Sequence, residues 1–229
     1  HKEIVTDVVF TPDGKQYVVA GLKGLVTYYD LQSHQRLREM EMNAESNRTG
    51  AQVEISPDGK WLAFGEDNRL AKIFRTADWQ LAYTFEYGSG WCGGCGTYIA
   101  FSPDSKNFFM ASHHGSVKRY ELDKGTLVHQ FADEVSEVQS LDVSPDGKLL
   151  QLTTERQVKV WNIASGQAVA EFNAAENIEY NESGFTQNSR NIIIGSTSNT
   201  AEIFNLATRK KTGELTGFLN QRDRGGIVY

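Results

Sequence analysis

The chain of 229 residues holds two cysteines, Cys92 and Cys95, too few for a disulfide framework to replace a hydrophobic core. No apolar run approaches the roughly 20 residues that a membrane-spanning helix needs. No long block of lysine and arginine occurs, and 29 acidic against 23 basic residues leave a formal charge of −6. That balance argues against broad electrostatic binding of nucleic acid or of an anionic membrane surface. Sustained helical periodicity is missing too, which leaves an all-β chain. A targeting signal is also lacking: His1-Lys2-Glu3 is no signal peptide and reads as a processing boundary, so this end does not reveal the compartment, and the cytoplasm is the default. With 39% hydrophobic and 11% aromatic residues, the composition is that of a globular chain rather than a disordered one.

What the chain does have is a repeat. A turn motif reads Thr11-Pro12-Asp13-Gly14-Lys15, Ser56-Pro57-Asp58-Gly59-Lys60, Ser102-Pro103-Asp104-Ser105-Lys106 and Ser144-Pro145-Asp146-Gly147-Lys148, with a decayed fifth copy at Thr186-Gln187-Asn188-Ser189-Arg190. The steps are 42 to 46 residues, too even for chance. Proline presets φ at the first central position, Asp or Asn follows, and glycine accepts positive φ. Apolar runs flank each turn. The run after it is nearly continuous, as in Tyr17-Val18-Val19-Ala20 or Ile192-Ile193-Ile194-Gly195, the pattern of a strand covered on both faces. A third strand ends in an aromatic, namely Tyr29, Phe74, Tyr120, Trp161 or Phe204, and a more polar fourth strand closes the unit. Four short strands every roughly 40–45 residues predict a propeller blade. The spacing places repeats at about 1–43, 44–88, 89–132, 133–174 and 175–217, with 218–229 opening a further one.

Val158-Lys159-Val160-Trp161-Asn162-Ile163 resembles the Val-x-Val-Trp-Asp-Leu strand of the WD-repeat propellers, and Val26-Thr27-Tyr28-Tyr29-Asp30-Leu31 and Ala201-Glu202-Ile203-Phe204-Asn205-Leu206 are similar to it. The resemblance covers nearly the whole chain, but the repeats are degenerate. No repeat carries the family's Gly-His dipeptide, only Trp161 keeps the tryptophan, and only Asp30 keeps the aspartate after the aromatic. The family's His–Asp–Ser–Trp hydrogen-bond network is therefore mostly missing. Family members close with six to eight blades, so the resemblance implies that five repeats are part of a larger ring.

Two constellations carry chemistry. Gly90-Trp91-Cys92-Gly93-Gly94-Cys95-Gly96 resembles a thioredoxin active site, yet it lies in a glycine-rich stretch with no helical pattern after it, and a helix N-terminus is what activates such a cysteine. Cys-x-x-Cys is also half of a zinc site, and the family resemblance brings His113 and His114 to the same end of the same blade. A Cys92–Cys95 disulfide or two free thiols are expected over a metal held by Cys92, Cys95, His113 and His114. Trp61 is expected in the core, and Trp79 on the rim of a hairpin. Once-per-blade periodicity marks the acids of the turns as structural rather than catalytic. No nucleophile elbow and no phosphate-cradling glycine loop is present.

The leading expectation is a non-catalytic scaffold without a cofactor. It would bind a protein or peptide partner, or other domains of the same polypeptide, through loops on one propeller face. The resemblance places Lys23, Asp67, Asn68, Arg69, Trp91, His113, His114, Glu155 and Arg156 there. Trp and Arg dominate interface energetics, so Trp91, Arg69 and Arg156 are the expected anchors, with Asp67 and His113 beside them. The alternative is a metal-binding or enzymatic propeller using Cys92 and Cys95 with His113 and His114.

Overall fold

A computed structural model describes residues 4–21, 24–41, 52–65, 70–86, 97–112, 116–132 and 138–217. All five turn motifs close hairpins by one set of bonds. The hydroxyl of Thr11, Ser56, Ser102, Ser144 or Thr186 donates to the Asp or Asn two residues on, at 2.6–2.8 Å. The same oxygen accepts the amide N–H five residues on, at 2.9–3.1 Å. The Asp or Asn oxygen in turn accepts the N–H of the following Lys or Arg. The fifth copy lacks proline and a carboxylate but makes every one of these bonds.

Each turn joins the first two strands of a four-stranded antiparallel sheet. The first sheet comprises β1 (Val5–Phe10), β2 (Gln16–Gly21), β3 (Leu25–Asp30) and β4 (Arg36–Glu41). The second comprises β5 (Gln52–Ile55), β6 (Trp61–Gly65), β7 (Leu70–Arg75) and β8 (Leu81–Glu86), and the third β9 (Thr97–Phe101), β10 (Asn107–Ser112), β11 (Val117–Glu121) and β12 (Thr126–Ala132). The fourth comprises β13 (Val138–Val143), β14 (Leu149–Thr154), β15 (Gln157–Asn162) and β16 (Ala168–Asn173), and the fifth β17 (Tyr180–Phe185), β18 (Asn191–Ser196), β19 (Ala201–Asn205) and β20 (Lys211–Leu215). Among the described residues there is no helix.

The sheets stack as blades, with the first strands of successive blades side by side. Four apolar clusters fill the four interfaces. Val18, Val26 and Tyr28 meet Val53, Leu62 and Phe64. Ile73 and Phe85 meet Phe101, Phe108 and Tyr120. Phe109 and Val117 meet Leu141, Leu152 and Trp161. Val158, Val160 and Phe172 meet Tyr180, Ile192 and Ile194. Among the described residues no such cluster joins the fifth blade to the first, and Val5, Val8 and Phe10 of β1 are about half exposed.

The turns also touch from blade to blade, which gathers all five at one end. Ser105 Oγ accepts the Asp58 amide at 3.0 Å, and Ser189 Oγ accepts that of Asp146 at 3.1 Å. Gly59 and Gly147 lie against the rings of Pro12 and Pro103. Of the five aromatics ending the third strands, Trp161 (2% exposed) and Tyr120 (6%) are buried. Tyr29, Phe74 and Phe204 are only partly so. Tyr29 stands on the first blade, with no preceding blade among the described residues to cover it, and stacks on Tyr17, while Phe204 packs at a tilt against Phe172 of the fourth blade. Trp61 is also only partly buried, against the expectation of a core residue; it packs at the border of the second interface, beside Tyr83. Trp79 caps the edge of Tyr28 in the preceding blade, beneath Arg38.

Candidate functional site

The first strand of each blade has a partner on one side only, β2, β6, β10, β14 or β18. Its other edge carries amide groups that need acceptors. The preceding blade supplies them from side chains. Asp7 Oδ2 accepts the Val53 amide at 2.9 Å. Gln52 Oε1 and Glu54 Oε1 accept those of Ile99 (2.9 Å) and Phe101 (3.2 Å). Ser140 Oγ accepts from Ser183 at 3.3 Å, and Asp142 accepts from Phe185. The donors are alternate residues, as the strand period of two requires. The third blade departs from the pattern, because Tyr98 and Ala100 stand where the other strands carry acceptors.

These positions line a central cavity of about 530 Å3 to which all five first strands contribute. Asp7, Glu54, Asp142 and Glu182 face it together with Gln52, Gln139, Ser140 and Thr97, and among the described residues its walls contain no lysine, arginine or histidine. Burial raises the Glu54 carboxyl; the Phe101 amide opposes the rise, the Asp142 and Asp7 charges add to it, and the group is pushed up to about 8. Burial likewise raises Asp142, against the amides of Val143 and Phe185 and with the Glu182 charge adding to the rise. Low-dielectric surroundings disfavour a charged carboxylate, and a like charge disfavours it further. Glu54 Oε2 is sealed from solvent and has no hydrogen-bond partner.

No protein-family model matches the chain. It is 30% identical over 145 residues, 63% of its length, to the uncharacterized WD repeat-containing protein sll1491 of Synechocystis, of which it covers 39%. It is 26% identical over 182 residues to protein groucho of Drosophila melanogaster, a match covering 78% of this chain and 24% of that one. A WD repeat domain-containing protein 83 homolog of Dictyostelium discoideum is 27% identical over 116 residues, 51% of this chain and 36% of the other. The chain is a β-propeller of four-stranded blades, similar in sequence to WD-repeat proteins. It spans less than half the length of each of these relatives. Among solved structures, hydrazine synthase of Kuenenia stuttgartiensis superposes with a TM-score of 0.75 at 17% identity, over 90% of this chain and 64% of that one. At that identity the likeness is one of fold and carries no chemistry.

Of the residues expected on the binding face of this propeller, Lys23, Asp67, Asn68, Arg69, Trp91, His113 and His114 lie outside the described residues, as do Cys92 and Cys95 of the expected disulfide, free thiols or metal site. Arg156 lies within them, exposed at the turn between β14 and β15. Its guanidinium donates to the carbonyls of Ile178 (2.5 Å) and Ala175 (3.2 Å), fastening the connection between the fourth and fifth blades. Glu155 accepts from Gln139 at 3.4 Å. The channel carboxylates belong neither to the loops nor to the periodic turn acids from which the sequence expectations were drawn. The signal was present: Glu54 and Asp142 stand two residues before the turn Ser, and Asp7 and Glu182 four before the turn Thr. An acid in an alternating strand position between apolar neighbours is out of place unless it faces a polar space.

Proposed function

We propose that this propeller is a non-catalytic scaffold that binds a protein or peptide partner at the end opposite the Pro-Asp turns. The observation that supports it is the contrast between the two ends. The turn end is built of repeated sequence whose polar groups are consumed by the fold: each aspartate there accepts a hydroxyl and an amide of its own turn. At the other end, where β2 gives way to β3 and β4 to the next blade, the sequence does not repeat and holds Arg69, Trp91 and Arg156. Non-repeating loops on a repeating frame are where a propeller places recognition. The half-exposed β1 and the four interfaces for five blades support the further reading that these blades belong to a larger ring of six to eight.

Peptide display on the purified chain, followed by titration of the selected sequences, tests the proposal. Trp91→Ala or Arg69→Ala should weaken binding about tenfold or more, the scale of an interface anchor, while Asp104→Ala at the turn end leaves it unchanged. Failure to select any peptide, or equal loss on both ends, overturns it.

A further inference from the structure

We propose that the central channel receives a basic side chain, an arginine or lysine head presented by the partner. The inference rests on the interaction reading above and specifies the ligand chemistry of its deepest part.

Four carboxylic side chains from four different strands face one cavity whose wall, among the described residues, holds no counter-cation. Acids alone make no site, because channel carboxylates can be spent on the fold, and some of them are: both oxygens of Asp7 are taken, by the Val8 and Val53 amides. Glu54 is different. One oxygen holds the Phe101 amide, and the other is buried with nothing bonded to it. A buried acceptor without a donor is costly, and a cationic donor is the group that both satisfies it and offsets the neighbouring carboxylates.

The shape of the cavity selects among cations. No three His, Cys, Asp or Glu side chains among the described residues stand close enough together to hold one metal ion. The departure of the third blade supplies what a metal would not use. Tyr98 and Ala100 form an apolar wall, with Glu54 on the blade to one side and Asp142 on the blade to the other. A side chain with an aliphatic stem and a charged head fits that layout, stem on the wall and head toward the acids.

The titration of Glu54 gives the proposal its signature. The groups around it are Asp7 on β1, Tyr98 on β9, Asp142 on β13 and Glu182 on β17, and β6 presents Ala63 beside it. With its carboxyl raised to about 8, Glu54 holds its proton at neutral pH. A guanidinium, which keeps its charge throughout the accessible range, binds the ionised form and displaces that proton.

The test titrates the full chain with two acetylated, amidated pentapeptides, Gly-Ser-Arg-Ser-Gly and Gly-Ser-Gln-Ser-Gly, by calorimetry in buffers of different ionisation enthalpy. The arginine peptide should bind at least about tenfold more tightly than the glutamine peptide at pH 8. Its affinity should rise roughly tenfold per pH unit from 6 toward 8 and level off above, with close to one proton released per peptide bound below pH 7. Glu54→Gln keeps an acceptor for the Phe101 amide, so it should fold as the parent does while losing both the arginine preference and the proton release. Equal affinity for the two peptides, or unaltered arginine preference and proton release in a folded Glu54→Gln variant, overturns the proposal. A display-selected partner that binds Glu54→Gln as tightly as the parent removes the channel from recognition and leaves the scaffold reading standing.

Discussion

Ser105 and Ser189 occupy the turn position that Gly14, Gly59 and Gly147 hold in the other repeats, and all five have φ between +55° and +73°. Ser105 stands in one of the four regular copies of the motif and Ser189 in its decayed fifth copy. In the structure they exchange conformational ease for a bond, since each hydroxyl accepts an amide of the preceding blade. A non-glycine residue in this region costs about 1–3 kcal/mol, and a hydrogen bond contributes about 0.5–1.5 kcal/mol, so the two effects nearly cancel. Ser105→Gly should therefore change stability by less than about 1 kcal/mol, whereas Ser105→Ala keeps the strain, loses the bond and should cost about 1–2 kcal/mol. Chemical denaturation of the two variants checks the order; an alanine variant as stable as the glycine one would remove the inter-blade bond from the account. Gly166 shows the reverse case. Its φ is +71°, and a Cβ there would lie 2.2 Å from the His129 ring of the preceding blade. Gly166→Ala should cost about 1–3 kcal/mol, read as a lowered denaturation midpoint.

At the scale of the element, the blade interface decides stability. The fourth blade places Trp161 at 2% exposure against the third, within reach of Phe131 at 5.9 Å. Trp161→Ala empties that site and should cost roughly 3–5 kcal/mol; unfolding of the variant by guanidinium, compared with the parent, measures it. The fifth blade is joined to the fourth in another way. Gln151, fully buried among the leucines of β14, donates to the Ser183 carbonyl at 3.0 Å and accepts from the Thr153 and Ser183 hydroxyls. Every member of this group has a partner, so the polar cluster sits inside the interface without an orphaned atom. Nothing in the local pattern Leu149-Leu150-Gln151-Leu152 announces it, because the partners come from another blade.

For the whole molecule, the acids divide into two populations with opposite effects on stability. Hydrogen bonds from the Thr11 hydroxyl and the Lys15 amide hold Asp13 below the ordinary carboxylate range, so its contribution is present above that range and lost as pH falls. Glu54 is raised from 4.5 to about 8. Between those values the folded chain binds more protons than the unfolded one, so stability falls as pH rises through this window and levels off beyond it. Asp142 acts in the same direction. The chain should therefore be most stable near pH 5, and Glu54→Gln should be more stable than the parent above pH 8 by a few kcal/mol. Melting temperatures from pH 4 to 9 check both statements, and a parent curve still rising between pH 6 and 8 would contradict the burial of Glu54.

The sequence by itself determined the blade. Turn chemistry is local: a Ser or Thr hydroxyl, an Asp or Asn two residues on and a positive-φ residue after it are contiguous in the chain, so five copies announce five hairpins, and the apolar runs beside them announce strands. The structural use of the turn acids was legible for the same reason. What only the tertiary structure decided is which polar side chains meet. Asp7 and Val53, Glu54 and Phe101, and Asp142 and Phe185 are each about one repeat apart, and they come together only when blades stack and present an unpaired strand edge to their neighbour. The channel is the sum of those meetings, and so a property of the stacked blades rather than of any repeat.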